Sequence, residues 1–229
     1  IIDEAQDVRP LEWFILNRLL DGDDATYSLF GDMNQRRANF SYPSWHDVAV
    51  ANGFGPEDES RFEPEVLEIG YRSTRQILDY AAQLLPRSQR HVVALREGDE
   101  PVVIQKGPNQ IVQAAVEALE ELASRHSPGT VALIATNSTA YERKLIHHQS
   151  GWRMTDQRYV LQKEGKKVWV LGPTDARGLE FDAVLVVEPS DFPEQVGHNG
   201  QLYTSLTRAT TELRVMHSKA MPRGLRRRR

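Results

Sequence analysis

Two adjacent carboxylates, Asp3 and Glu4, follow the β-branched pair Ile1 and Ile2 near the start of the chain. β-branched residues suit the buried end of a strand, so the acids are predicted to stand where that strand emerges from a sheet. In nucleotide hydrolysis, one acid in such a position binds Mg²⁺ and the next orients or deprotonates the attacking water. A solvated acidic turn after a strand is the alternative interpretation.

A second polar segment, residues 31–35 (Gly-Asp-Met-Asn-Gln), follows a short strand predicted at residues 27–30. In open α/β sheets, the ends of strands are the usual place for catalytic groups. The amide of Gln35 can hydrogen-bond both a phosphate and a water molecule. Gln35 is therefore a candidate sensor of a terminal phosphate.

Two arginines, Arg72 and Arg208, respectively follow the strand predicted at residues 66–69 and lie in the short helix predicted at residues 202–209. A guanidinium group is planar and always charged, which suits bidentate contact with phosphate oxygens. A surface salt bridge is the alternative role for any lone arginine. The short helix predicted from Leu202 to Ala209 places Arg208 on a different face from its apolar residues, which favours the functional role.

The elements that must position these groups alternate between strands and helices. Strands are predicted at residues 66–69, 102–104, 131–135, 183–187 and 213–216, with a hairpin at 159–171 that turns at Glu164 and Gly165. The apolar run 131–135 is typical of a parallel strand that is covered on both faces. The alternation predicts a mostly parallel α/β sheet with right-handed crossovers.

Helix starts are predicted from single residues. Pro10 suits the first turn of a helix, and apolar residues recur at helical spacing after it. Asn109 is predicted to cap a second helix. Thr139 and Glu142 have the spacing of a capping box for a third. The apolar residues at helical spacing in the first helix are Leu11, Ile15 and Leu19, flanked by Phe14 and Leu16.

Composition limits the class of protein and its partners. The chain has 229 residues, 40% hydrophobic and 26% charged, with no cysteine and a net charge of −4. This length allows one large or two small domains. No apolar run is long enough to span a bilayer, so no membrane partner is expected. The absence of cysteine excludes disulfides and fits a cytoplasmic protein, and the net charge means that nucleic acid would need a local basic track.

Residues 53–64 are rich in glycine, proline and acidic residues, which favours a linker. We therefore predict two lobes, residues 1–62 and residues 63–229. The chain starts without methionine inside a predicted core strand, so we interpret it as a fragment of a longer protein.

Five segments, in this order, resemble the motifs of superfamily 1 helicase motors of the UvrD/Rep type. They are residues 3–7 for motif II, 31–35 for motif III, 70–74 for motif IV, 177–182 for motif V and 203–209 for motif VI. Gly70 stands where motif IV usually has asparagine, and Arg177 where motif V usually has lysine. The resemblance implies a RecA-like (P-loop NTPase) fold, with the C-terminal part of the first lobe at 1–62 and the second lobe at 63–229.

The resemblance also implies roles in binding and hydrolysing ATP with Mg²⁺. Asp3 would bind the metal, Glu4 would act on the water, and Gln35, Arg72 and Arg208 would contact the γ-phosphate. Because the acids and the arginines fall in different predicted lobes, ATP would draw the lobes together. Three further residues would bind the rest of the nucleotide: Tyr71 by stacking on adenine, Glu180 by accepting from a ribose hydroxyl, and Gly178 by allowing close backbone approach.

Each of these three further residues also has a purely structural interpretation. Tyr71 could be a core aromatic residue and Glu180 a solvated loop acid. Gly178 could be needed only for a positive φ.

Single-stranded DNA is the partner that the resemblance implies. These motors usually stack a base on an aromatic residue five positions after the motif III glutamine, which here is Phe40. Stacking contributes roughly 1–3 kcal/mol per base and reads no sequence. Arg36 and Arg37 could contact phosphates. Tyr42 and Trp45 are alternatives for the platform, and a core position under a loop is the alternative for Phe40.

Two absences separate the chain from a complete motor of this type. Residues 73–177 leave no room for the large domain that UvrD-like enzymes carry between motifs IV and V. This resembles the helicase-like factors that recycle bacterial RNA polymerase, so that polymerase is the alternative partner.

The second absence is that no Gly-x-x-x-x-Gly-Lys-Ser/Thr loop occurs in the sequence, so this chain alone is not expected to bind ATP tightly or hydrolyse it. We expect the upstream part of the same protein to supply that loop. A non-catalytic adaptor is a third possibility, against which the intact acids, Gln35 and both arginines argue.

Overall fold

The computed structural model describes residues 1–19, 28–36, 40–53, 64–90, 93–147, 151–194 and 200–226. The chain divides into two compact units. The first is Ile1–Leu67 with Glu194–Gly200, and the second is Glu68–Pro193 with Gln201–Arg229. Most of the predicted linker, and the predicted boundary between residues 62 and 63, lie outside the described residues, so that boundary stays a prediction.

The described residues form six α-helices, of which the second was not predicted. They are α1 (Pro10–Leu19), α2 (Trp45–Ala51), α3 (Arg75–Ala82), α4 (Ile111–Arg125), α5 (Ser138–His147) and α6 (Gly200–Leu206). No helix within these described ranges is long and apolar enough to cross a membrane.

In the first unit, α1 begins at Pro10 as predicted, because the fixed φ of proline suits the first helical residue. The apolar residues that recur at helical spacing do not mark the buried face of this helix. Trp13 is the buried residue of α1, whereas Leu11, Ile15 and Leu19 are exposed. The large indole of Trp13 packs against a small core whose other fully buried members are Ala5 and Val48.

The strands of the second unit form two sheets. A two-stranded parallel sheet pairs β1 (Ile69–Thr74) with β2 (Val93–Arg96). A seven-stranded sheet has the order β3-β9-β8-β4-β7-β6-β5. Its strands are β3 (Val102–Gln105), β4 (Val131–Ile134), β5 (Arg153–Met154), β6 (Val160–Lys163), β7 (Lys166–Leu171), β8 (Phe181–Val187) and β9 (Ala209–His217).

The predicted α/β class with a mostly parallel sheet is confirmed. Neighbouring strands from β3 to β7 are parallel, and only β6 and β5 add antiparallel pairs at one edge. The central strand β4 is completely buried and lies between β7 and β8, as its apolar run predicted. The hairpin between β6 and β7 turns at Glu164 and Gly165, both at positive φ, which suits a two-residue turn.

Several predicted element ends are wrong. The strand predicted at residues 66–69 begins at Ile69 and continues to Thr74, because β1 finds its partner β2 only from Ile69 onward. The N-cap of α4 is Gln110 rather than Asn109, and α5 begins at Ser138, one residue before Thr139. Ala209 does not belong to the preceding helix, because it starts β9 and pairs with Phe181.

A cluster of charged side chains joins α4 to β9 around Arg214. Arg214 is buried and donates to both carboxylate oxygens of Glu121, at 3.0 and 2.9 Å, and from Nε to Glu212 at 2.9 Å. The hydrogen bond and the charge of Arg214 lower the pKa of Glu121 to about 2. The ionised carboxylate is therefore stabilised in the folded protein.

Replacing Glu121 by glutamine is expected to lower the free energy of unfolding at pH 7 by about 1 kcal/mol, because Arg214 is buried and loses one charged partner, although water screens the 55% exposed Glu121 side chain. Since the folded-state pKa lies below the ordinary value of 4.5, this stabilisation is complete above that value and is lost as pH falls toward about 2. Urea denaturation between pH 7 and pH 2 measures the difference between wild type and variant, which should shrink below about pH 5.

Glu117→Gln is the matched control, because Glu117 is an exposed acid of the same helix that contacts Gln113. This substitution should change the free energy of unfolding by less than about 0.5 kcal/mol. A difference between wild type and Glu121→Gln that does not change with pH would contradict the assigned role.

Candidate functional site

In the first unit, the segments that carry Asp3, Glu4 and Gln35 leave two adjacent strand ends. Ile2 forms a parallel bridge with Leu29: its N–H donates to Ser28 O at 2.8 Å, and its carbonyl accepts from Phe30 N–H at 2.9 Å. Ala5 N–H donates to Phe30 O at 2.9 Å, which continues the pairing past the acids. The predicted strand is therefore short, and Ile1 is exposed rather than buried.

Gln6 connects these two segments, and the sequence analysis assigned it no role. Its side chain is only 1% exposed. Nε2 donates to Glu4 Oε2 at 2.6 Å, and Oε1 accepts from Asp32 N–H at 3.1 Å. Gln6 thus fixes the direction of the Glu4 carboxylate. A Cβ at Gly31 would lie 2.2 Å from Gln6 Oε1, so this arrangement requires glycine there.

Asp32 orients Gln35 in the same way. Its Oδ1 accepts from Asn34 N–H at 2.9 Å and closes a short 3₁₀ turn, Met33–Gln35. Its Oδ2 accepts from Gln35 Nε2 at 3.0 Å. The signal for this contact in the sequence is that Asp32 stands three residues before Gln35, but only the turn brings the two side chains together.

Asp3 fits a magnesium ligand by its chemistry. It is exposed, and its Oδ1 accepts from Glu4 N–H at 2.8 Å. Mg²⁺ usually takes one or two carboxylates and completes its shell with waters and substrate phosphates, so one exposed aspartate is a suitable donor set. Glu4 itself has a φ of 53°, a left-handed conformation that is uncommon outside glycine and frequent at functional sites.

In the second unit, two candidates from distant segments form an ion pair. Arg72 Nε lies 2.5 Å from Glu180 Oε2, and the two side chains are 55% and 56% exposed. Arg72 lies in β1 itself rather than after it, and Glu180 immediately precedes β8. The fold thus brings together two residues that the sequence analysis assigned to one ligand.

Arg208 is held at the same cluster. It is only 4% exposed. Its Nε donates to Thr204 O at 3.0 Å and its Nη1 to Leu179 O at 3.2 Å. The guanidinium therefore joins the end of α6 to the residue before Glu180.

Backbone and side-chain hydrogen bonds hold all three predicted segments of the second unit together. Ser73 Oγ donates to Ala209 O at 2.6 Å, and Phe181 N–H donates to Arg208 O at 3.0 Å. Arg96 Nη1, on β2, donates to Arg72 O at 2.7 Å. Ser73 and Arg96 position the arginines, and the sequence analysis identified neither of them.

Tyr71 and Gly178 lie in the same region with exposed surroundings. Tyr71 is 68% exposed, which excludes the alternative that it is a core aromatic residue. Gly178 has a φ of 70°, and a Cβ there would meet no atom of the described residues within 4 Å. The left-handed backbone, not lack of space, therefore favours glycine.

Of the candidates for nucleic-acid contact, Phe40 is the exposed aromatic residue. It is 59% exposed, and the Arg9 guanidinium lies 4.8 Å from its ring centroid, so it is not a core residue under a loop. Tyr42 and Trp45 are partly buried against the core of the first unit. Arg36 Nη1 donates to Ser41 O at 3.1 Å. Arg37 lies outside the described residues.

The protein is a mixed α/β protein with two groups of polar side chains. One group lies around Asp3, Glu4 and Gln35 in the first unit, and the other lies around Arg72 and Arg208 in the second. Both groups lie where strands begin or end. Comparison with protein-family models and with curated proteins gives no match. Among solved structures, the chain is similar to the crystal structure of the C-terminal domain of a possible DNA helicase from Lactobacillus plantarum WCFS1. The TM-score is 0.52 at 25% sequence identity, over 68% of this chain and 92% of that one.

Two structures of the large terminase from a thermophilic bacteriophage are more distant. One has 10% identity and the other, a complex with ADP, 9%; both have a TM-score of 0.40 and match 64% of this chain. The match covers 39% and 38% of those chains. A likeness of this size supports no inference about function.

Proposed function

We propose that the chain is part of an ATP-dependent DNA helicase or translocase of the superfamily 1, UvrD/Rep-like type. The observation that carries the proposal is the cluster in the second unit. There the three segments predicted from helicase motifs meet, with Arg72 and Arg208 bound to successive residues, Glu180 and Leu179. The similarity to a helicase C-terminal domain supports the same proposal.

The acids of the first unit supply the water-activating chemistry in this proposal. Asp3 would hold Mg²⁺, which neutralises phosphate charge when it is bound. Glu4 accepts the proton of the attacking water, and Gln6 keeps its carboxylate in one orientation. Gln35, oriented by Asp32, hydrogen-bonds the terminal phosphate or the water.

The arginines of the second unit stabilise the negative charge that develops on the transferred phosphoryl group. Arg72 is exposed on the protein surface, and Arg208 is held by the backbone carbonyls of Thr204 and Leu179. Tyr71 offers an exposed ring for the adenine, and Glu180 offers a carboxylate for a ribose hydroxyl. Gly178 allows the backbone to turn beside the ligand.

Single-stranded DNA is the proposed partner of the first unit. Phe40 provides an exposed ring for a base, and Arg36 and Arg37 provide cations for phosphates. The phosphate-binding loop is proposed to come from an upstream part of the same protein. We refer to this chain together with that part as the longer protein, and propose that the chain alone is inactive.

A motor that works with RNA polymerase is the second candidate. The observation that favours it is that residues 73–177 all belong to the second unit and form no separate compact unit of their own, as a large inserted domain would. Such a motor would hydrolyse ATP without processive unwinding of DNA.

The ATPase rate of the longer protein, with and without single-stranded DNA, distinguishes these functions. For a DNA motor we expect many-fold stimulation by single strands, and Phe40→Ala should reduce it, since stacking contributes roughly 1–3 kcal/mol per base. Tyr42→Phe, at a partly buried neighbour, is the control and should leave the stimulation unchanged. An ATPase rate that single-stranded DNA does not change, together with co-purification of the protein with RNA polymerase, would favour the second candidate.

A further inference from the structure

The ion pair between Arg72 and Glu180 has a consequence for ligand binding. We infer that Glu180 is an internal competitor for the phosphate site of Arg72, a carboxylate of the chain that occupies this guanidinium until an oligophosphate displaces it. The inference rests on the proposed function, because it takes Arg72 as a phosphate ligand.

The geometry supports direct competition for the same donor. A carboxylate and a phosphate use the same donors of a guanidinium, and the Glu180 Oε2 atom already lies 2.5 Å from Arg72 Nε. Ser73 Oγ donates to Ala209 O at 2.6 Å, and Ala209 pairs with Phe181, the residue after Glu180, so the strand that carries Arg72 is held near Glu180. A phosphate oxygen that binds Arg72 Nε must therefore replace Glu180 Oε2.

Exposure makes the exchange possible at low cost. Both side chains of the pair are more than half exposed, and exposed ion pairs contribute little because water and salt screen them. An oligophosphate carries several negative charges against one on Glu180, so it is the stronger partner for the arginine. A small solute with a single carboxylate carries no more charge than Glu180 and has no such advantage. Competition by Glu180 therefore selects ligands with adjacent phosphates.

The displaced residue is adjacent to a contact of the second arginine. Leu179 O accepts from Arg208 Nη1 at 3.2 Å, and Gly178, one residue earlier, has a left-handed φ of 70°. The exchange at Arg72 therefore takes place one residue from the carbonyl that binds Arg208.

The test measures the affinity of the whole 229-residue chain for inorganic tripolyphosphate by isothermal titration calorimetry. Glu180→Gln removes the competing charge and keeps the size of the side chain. We expect its Kd to fall about five-fold, the upper range for loss of an exposed ion pair. The matched control is Glu97→Gln, because Arg75 and Glu97 form a comparable pair at 2.8 Å with 54% and 60% exposure. It should leave the Kd unchanged.

A second pair of variants separates this inference from the proposed function. Arg72→Ala should abolish most tripolyphosphate binding, whereas Arg75→Ala should not. If Arg72→Ala weakens binding but Glu180→Gln gives a wild-type or higher Kd, the competitor role is overturned and the phosphate site stands. If Arg72→Ala binds like wild type, both the competitor role and the proposed nucleotide site are overturned.

The Nε–Hε resonance of Arg72 in nuclear magnetic resonance spectra gives an independent measurement. In the ligand-free chain it should differ between wild type and Glu180→Gln, because the acceptor at 2.5 Å is lost. With saturating tripolyphosphate the two spectra should agree at this resonance. Two resonances that coincide without ligand would overturn the inference, because Glu180 would not occupy Arg72 in solution.

Discussion

Replacing Arg208 by alanine is expected to reduce kcat for ATP hydrolysis by the longer protein by roughly 10³-fold or more. Arginines that stabilise charge on a transferred phosphoryl group contribute on this scale. In the structure the guanidinium is already fixed by Thr204 O and Leu179 O, so little ordering is needed to use it. Steady-state ATPase assays at saturating Mg·ATP measure the effect.

Arg90→Ala is the matched control for Arg208→Ala. Arg90 also donates to two backbone carbonyls, Leu85 O at 2.9 Å and Gln83 O at 3.1 Å, but it lies outside the proposed site. This variant should keep its kcat, and it should lose less stability than Arg208→Ala because Arg90 is exposed whereas Arg208 is buried. If both variants reduce kcat equally, or if Arg208→Ala retains kcat within about tenfold, Arg208 does not act on the phosphoryl group.

Glu4→Gln is expected to give the second large effect, a loss of roughly 10²–10⁴-fold in kcat with Mg·ATP binding retained. A general base contributes on this scale, and glutamine keeps the shape of the side chain but cannot accept the proton. The hydrogen bond from Gln6 Nε2 to Glu4 Oε2 at 2.6 Å shows that the orientation is built into the fold.

The control for the loss of negative charge is Glu12→Gln, an acid of the first unit that pairs with Arg9 at 3.9 Å on the surface. This variant should hydrolyse ATP at the wild-type rate. Equal kcat values for Glu4→Gln and wild type would show that another group activates the water.

The strands of the sheet could be predicted because a continuous run of apolar residues indicates a buried strand. The four residues of β4 and most of β8 are apolar in sequence and fully buried in the structure. Apolar residues alone did not give the packing of α1, because several sides of the helix carry them and only Trp13 is fully buried, with Leu16 partly buried against the same core. Element ends depended on partner strands, as β1 shows.

The types of the candidate residues and their order along the chain could be predicted, but the residues that position them could not. Gln6 meets Asp32, and Ser73 meets Ala209, across separations that no local pattern records. Glutamine and serine occur at so many surface positions that their burial cannot be recognised in the sequence. The pairing of Arg72 with Glu180 likewise follows only from the hydrogen bond that joins β1 to the start of β9, the strand that pairs with β8.

The central claim is that Glu4, Arg72 and Arg208 act in one ATP hydrolysis reaction, and single-turnover cleavage of preloaded ATP by the longer protein tests it most directly. The protein is loaded with γ-labelled ATP without Mg²⁺, and cleavage is started by adding the metal. Glu4→Gln, Arg72→Ala and Arg208→Ala should each retain bound ATP but slow its cleavage, while Glu12→Gln and Arg90→Ala cleave at the wild-type rate. Cleavage at the control rate in any of the first three variants would contradict the claim for that residue, and in all three it would exclude the proposed motor chemistry.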